Sequence, residues 1–244
     1  MLPATQDSIM TTAPMYLRDW RAWQPAGQQH GPTASDDDPR LSTSERPGGQ
    51  SLPAMLRRRL NGLGRAVCDM LAELDPKGTA LLIHASRHGD GERTLELLYA
   101  LAEGDVLSPA RFGMSVHNAI LGVHSIANDN RRSLQALAAS GDELAALFSE
   151  VRGYLAAGEP RVIAVFSDAP VPARFVEHAP PSRGTAAVAL VLTADRGRRV
   201  RSEPATDTNI GAHGAPQPVD VIDWLACGAP LLSPRRGLAW QLDD

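Results

Sequence analysis

Residues 108–142, SPARFGMSVHNAILGVHSIANDNRRSLQALAASGD, gather side chains that can do chemistry. His117 beside Asn118 suits acid–base or hydrogen-bonding work, and Ser140 offers a hydroxyl. Ser140-Gly141-Asp142-Glu143 reads as a capping box: Ser140 accepts from the amide of Glu143, and Glu143 reaches back to the amide of Ser140. A helix N-terminus favours negative charge, so a group placed just before it is activated. Ser140, His117 and Asp168 can be assembled into a hydrolase triad. The G-x-S-x-G elbow is missing, however, and a chain of this length offers such trios by chance. His117 and His124, seven apart, fall on one helix face two turns apart, too far to share a metal ion. His84, His88 and Asp90 have metal-binding donor types but no recognised ligand spacing, so packing or hydrogen bonding is their expected role. No metal or cofactor is expected.

Cys68 falls inside a helical stripe and Cys227 in the last helical segment. Neither stands at a helix N-terminus, where a thiolate would be stabilised. Glycine-rich phosphate loops are absent. A net charge of −4 argues against nucleic acid as the main partner, because phosphate binding needs a basic face. No apolar run reaches the ~20 residues that cross a bilayer. A basic segment followed by an apolar core is missing at the N-terminus, and two cysteines make no disulfide framework. The expectation is a cytoplasmic protein with no signal peptide.

The elements that must position these groups follow from periodicity. Residues 15–23 begin as a strand, and 27–50 have too few apolar residues to offset ordering, which predicts a surface loop. Leu56, Leu60, Leu63, Val67, Leu71 and Leu74 recur every three or four residues and predict one helix over 53–74. Residues 79–85, 161–167 and 185–193 are short apolar runs, expected as buried strands, with a further strand over 133–138. Helices are expected over 92–102, with Leu95, Leu98 and Leu101 on its buried face, and after Glu143. Residues 194–218 read as a polar linker, 219–227 as a short helix and 238–242 as a last strand. Strands alternating with helices predict an α/β layered fold.

Several runs together resemble a known family: Arg57-Arg58-Arg59-Leu60, His84-Ala85-Ser86-Arg87-His88-Gly89-Asp90, Leu107-Ser108-Pro109 with Phe112, and Ser115-Val116-His117-Asn118-Ala119-Ile120-Leu121-Gly122. These are similar to short β-ketoacyl-synthase-like proteins, which correspond to the N-terminal half of thiolase-fold ketosynthases. Such proteins accompany fatty-acid-like and polyketide assembly, including aryl polyene systems. The likeness covers about 15–194, and the tail with Asp223-Trp224-Leu225 and Trp240 also suits the short family, so the chain is expected to be complete. The resemblance implies a thiolase-like half with a mixed β-sheet packed with helices. It divides the chain into an irregular segment 1–50, a synthase-like domain 51–194, and a linker with a short tail 195–244.

A ketosynthase condenses acyl units through a cysteine set just before a helix N-terminus, in a pattern close to A-C-x-S-G. Matching Ser140-Gly141 to that pattern places Ala138 at the cysteine, and no residue from 135 to 140 is a cysteine. Alanine cannot form an acyl-enzyme. The paired histidines of the synthase's second half have no counterpart, since His213 is the only histidine after residue 194. The resemblance therefore implies a non-catalytic subunit of the chain-length-factor kind, paired as a heterodimer with a full-length ketosynthase. Ser115, His117, Asn118, Gly122, Ser140 and Gly141 would shape the tunnel or interface, near the strand expected over 133–138. Two alternatives stay open. One is residual decarboxylation or hydrolysis of acyl thioesters through His117, Ser140 or His88. The other is a scaffold that binds acyl carrier protein through Arg57, Arg58 and Arg59, a cluster whose plainer reading is a solvated helix face.

Overall fold

A computed structural model of the chain describes residues 13–27, 38–139, 141–206 and 214–243. The sheet begins with β1 (Tyr16–Trp23) and the two-residue β2 (Leu41–Ser42). It continues through β3 (Leu81–Ala85), β4 (Leu134–Leu137), β5 (Val162–Asp168), β6 (Ala186–Thr193), β7 (Arg198–Pro204), β8 (Leu231–Ser233) and β9 (Leu238–Asp243). Its order is β4-β3-β5-β6-β1-β7-β9-β8, with β2 alongside β1. Strands β4, β3 and β5 run parallel, and β6 turns the sheet antiparallel from there on. The sheet is mixed, as expected.

Helices are α1 (Ala54–Arg57), α2 (Gly62–Leu74), α3 (Gly91–Ala102), α4 (Pro109–Gly113), α5 (Ala119–Ala127), α6 (Glu143–Ala156) and α7 (Pro218–Cys227). The central strands β3, β5 and β6 are buried along almost their whole length and apolar except toward their ends, because both faces are covered. In β5, Val162, Ala164 and Phe166 join Leu144, Phe148 and Ile222 of α6 and α7 in one cluster. Ile163 and Val165 point the other way, to Val67 and Leu71 of α2 and Leu121 of α5. The same alternation puts Ile83 of β3 with α6 and Leu82 with α2. His84, two residues beyond Leu82, is therefore on the α2–α5 side.

Four local expectations need correction. The single helix over 53–74 is two helices, because Asn61 caps the second by accepting from the Gly64 amide at 2.9 Å. An asparagine that binds the backbone this way competes with helix continuation. The loop 27–50 contributes β2, with Leu41 buried and Trp23 Nε1 donating to the Ser44 carbonyl at 2.9 Å; its residues 28–37 lie outside the described set. On α3 the buried residue is Leu97, while Leu98 and Leu101 are exposed. The polar segment 194–218 contains β7, which pairs with β1 and β9 and buries only Val200. Its other residues face water at least in part, so composition hid the strand.

Residues 195–244, expected as linker and tail, thus supply three strands and a helix. Trp240 of β9 is buried, meets Phe148 of α6 edge-on with ring centroids 4.8 Å apart, and donates its indole N–H to Ser233 Oγ at 2.9 Å. Trp240→Ala is expected to cost about 3–5 kcal/mol in urea denaturation. A loss below about 1 kcal/mol would show that the tail is peripheral to the core.

Candidate functional site

The parallel strands β3, β4 and β5 end at one rim of the sheet. Open α/β sheets place ligands outside the carboxyl ends of such strands. From β3 the chain runs into Ser86, Arg87, His88 and Gly89, and from β5 into Asp168 and Ala169. From β4 it runs through Ala138 to the start of α6. The Ser86 amide donates to the Leu137 carbonyl at 3.1 Å, which ties the first and third of these turns together.

The turn before α6 differs from the expected capping box. Asp142 is the cap, accepting from the Ala145 amide at 3.2 Å. Ser233 Oγ of β8 also donates to Asp142 at 3.3 Å. Burial raises the Asp142 pKa, while the Ala145 amide, Ser233 and Arg236 pull it back. Glu143 is 2% exposed and reaches back to the Gly141 amide at 3.1 Å, one residue later than expected. Its other oxygen accepts from Arg87 Nε at 3.2 Å and Nη2 at 2.9 Å. Asp and Ser are about equal as caps, so residue type alone does not choose between positions 140 and 142. Gly141 has φ +102°, and the Arg235 guanidinium fills the space where a Cβ would stand, 2.5 Å away. Ala138 follows β4 directly and is exposed. Ser140 and His213 lie outside the described residues.

The S-V-H-N segment makes the turn into α5 instead of lying within it. α5 starts at Ala119, with Asn118 as a cap that makes no side-chain bond. His117 and His124 therefore do not share a helix face, contrary to the seven-residue spacing. His124 is buried in α5 and shares its ring and carbonyl with the Asn128 side chain; burial lowers its pKa to about 4. His117 lies with its ring 3.3 Å from the position of a Cβ on Gly89, whose φ of +58° is the left-handed conformation glycine adopts freely. Ser115 Oγ donates to the Phe112 carbonyl at 2.8 Å. Gly122 is half-buried on α5 with open space at its Cβ position.

His84 is buried, with Nε2 2.7 Å from Ser167 Oγ of β5. Burial lowers its pKa to about 4, against a smaller opposing effect from the His117 backbone. Ser86 Oγ accepts from the Gly89 amide at 3.0 Å and lies 3.5 Å from Asp168. Burial raises the Asp168 pKa, and the charges of His88 and Arg87 counter it. Asp168 thus faces Ser86, His88 and Arg87, and no hydrogen bond joins it to His117. The triad is not assembled among the described residues.

Cys68 is buried in α2, and burial pushes its thiol up to about 12, which removes it as a nucleophile. Cys227 donates to the Asp223 carbonyl at 2.8 Å. Among the described residues no three His, Cys, Asp or Glu side chains gather as metal ligands. No helix among them is long and apolar enough to cross a membrane. Arg57 is half-buried, its carbonyl accepting from Arg65 Nε at 3.2 Å, while Arg58 and Arg59 are exposed. Sequence reasoning missed Ser167, Glu143's partner Arg87, and the Ser233–Arg235 cover over α6. These meet across 56 to 91 residues and leave no local signal.

Comparison with known proteins gives one family and one fold. A family model described as beta-ketoacyl synthase, N-terminal domain, matches residues 20–241. No curated protein matches. A chain of the ketosynthase ApeO in complex with its chain length factor ApeC, from Xenorhabdus doucetiae, aligns with a TM-score of 0.72 at 23% identity. The alignment covers 95% of this chain and 99% of that one. The ishigamide ketosynthase/chain length factor aligns at 15% identity over 82% of this chain and 70% of that one, with a TM-score of 0.47. The first of these alignments establishes a shared thiolase-like fold.

Proposed function

Because the chain belongs to the β-ketoacyl synthase N-terminal-domain family, we propose that it is a non-catalytic subunit that completes a full-length ketosynthase. The observation that carries this reading is the start of α6. In a ketosynthase that helix end must accept the negative charge of a thiolate and an oxyanion. Here Asp142 and Glu143 take its amides, Arg87 neutralises Glu143, and Arg235 covers Gly141. The Gly141 and Ala145 amides are thereby already occupied, and the space at Gly141 is covered, which leaves no open cradle for a further anion there. Ala138, matched to the nucleophile, brings no attacking atom.

The partner surface is the open edge of β4. This strand ends the sheet, its four residues are half-buried, and among the described residues nothing pairs with its outer side. Such an edge is a template for a strand of another chain. Ser115, His117 and Asn118, in the turn before α5, and Gly122 on α5 would line the shared tunnel. The solved ketosynthase with its chain length factor, similar in fold, supports this arrangement. The pathway would be fatty-acid-like or polyketide assembly, including the aryl polyene type. Arg58 and Arg59 are exposed and pair with no carboxylate among the described residues, which favours acyl carrier protein as a second, salt-sensitive contact.

Co-expression with the ketosynthase encoded nearest to this gene should yield a stoichiometric complex that condenses acyl and malonyl thioesters, while this chain alone condenses none. Ala138→Cys should leave the isolated chain inactive. Failure to associate with any ketosynthase would refute the reading. Thioester turnover by the chain alone, abolished by His117→Ala, would establish the residual-enzyme alternative.

A further inference from the structure

The leucines of α3 form an apolar stripe that the chain itself leaves uncovered. Leu98 and Leu101, three apart on one flank of the helix, are 53% and 60% exposed, and Val106 in the turn beyond is 99% exposed. The short helix Ala173–His178 lies alongside. Its Arg174 donates to Tyr99 Oη at 2.8 Å and lies over the Tyr99 ring, while Pro172 stands 3.1 Å from the position of a Cβ on Gly91 at the start of α3. These contacts set Phe175 and Val176, also exposed, beside Tyr99.

Of the ten large apolar residues left exposed in the described chain, six are therefore gathered around the outer half of α3. Together they open about 600 Å2. That is the upper end of what a monomer's largest apolar patch shows, and close to the ~800 Å2 that each side gives to a stable interface. Single exposed leucines need no explanation, whereas a patch of this size marks a contact surface.

The charges around the patch complement one another. α3 has no basic residue in its last turn, and Glu103 caps it with Asp105 two residues on. Both carboxylates are exposed at the negative end of the helix dipole and pair with no cation among the described residues. Arg174 is exposed and pairs with no carboxylate among them. Arg174 meets α3 at Tyr99, near its middle, whereas the two acids stand at its C-terminal end. Two copies of α3 crossed antiparallel at Leu98 and Leu101 bring the acids of each toward Arg174 of the other. Such reciprocity is what a two-fold interface requires. A partner surface of a single sign would satisfy only one of the two charges.

We propose that this face joins two copies of the chain, α3 packed antiparallel on α3 of the second copy across Leu98 and Leu101, with Glu103 and Asp105 facing Arg174 of the other copy. The contact uses none of the residues assigned to the ketosynthase surface. Its test needs this chain alone, so either reading can fail without the other.

Sedimentation equilibrium of the purified full chain should show a reversible dimer with a dissociation constant of about 10 μM or tighter. Leu98→Glu with Leu101→Glu, on exposed positions, should weaken self-association about thirtyfold or more, with circular dichroism showing an intact fold. Arg174→Glu should weaken it about tenfold, and adding Glu103→Arg and Asp105→Arg to that variant should restore it. A chain that stays monomeric up to about 100 μM overturns the proposal. So does a dimer that the leucine variant leaves unchanged, or a charge-swapped chain that fails to recover. A monomeric chain whose leucine variant loses its ketosynthase would assign the face to that partner and overturn the proposal as well.

Discussion

Arg87→Ala is expected to destabilise the protein by about 3–5 kcal/mol, because it strands a carboxylate that is almost wholly buried. Glu143 is 2% exposed, whereas the Arg87 side chain that pairs with it is 19% exposed. Both guanidinium contacts are made to one carboxylate oxygen, and the other oxygen holds the Gly141 amide. Removing the cation leaves the amide and the helix end as the remaining partners of the charge. Replacing Glu143 by Gln as well removes the charge, so the double variant should recover most of the loss. Urea denaturation of the two single variants and the double measures the coupling. A cost below about 1 kcal/mol for Arg87→Ala would show that the pair is a surface-type bridge and that the start of α6 is not held by it.

Acidification should remove a comparable amount. Buried His84 and His124 each have a folded pKa of about 4, below the ordinary 6.5. Between 6.5 and 4 the unfolded chain binds more protons than the folded one, so stability is full above pH 6.5 and falls as pH drops toward 4. Each histidine accounts for about 2–3 kcal/mol by pH 4.5. Asp142 and Asp168 act in the opposite sense. Burial raises their pKa values, so protonating them in acid relieves a cost. Their displacement is smaller than that of the two imidazoles, and the net change is a loss. Unfolding free energies at pH 7.5 and 4.5 should differ by several kcal/mol, and His84→Asn with His124→Gln should flatten that slope. An unchanged slope in the double variant would show that neither imidazole is held neutral by the fold.

Much of the architecture was legible because it depends on local pattern. Continuous apolar runs at 79–85, 161–167 and 185–193 became β3, β5 and β6, and the stripe after Glu143 became α6. Leu95, Leu98 and Leu101 misled because a spacing of three drifts around the helix, and α3 packs little more than Leu97. The break at Asn61 was missed, and the cap of α6 was expected two residues before Asp142. At each point an Asn or Asp side chain takes a backbone amide, a local bond that apolar periodicity does not record.

The family resemblance was carried chiefly by the Ser115–Gly122 run with Ser108-Pro109 and Phe112 before it, and supported by the His84–Asp90 run that leaves β3. The partners of those side chains were not legible. His84 meets Ser167 across 83 residues, Arg87 meets Glu143 across 56, and Asp142 meets Ser233 across 91. Each contact depends on strand order, which brings β3 between β4 and β5 and folds the tail back onto α6. The sequence by itself determined the layers, the place of α6 and the absence of a cysteine before it. Tertiary structure alone decided which acids fill that helix end, and that the polar 194–218 segment supplies a strand of the sheet. The reason is that periodicity records which face of an element is buried, whereas the order in which strands meet sets what lies opposite that face.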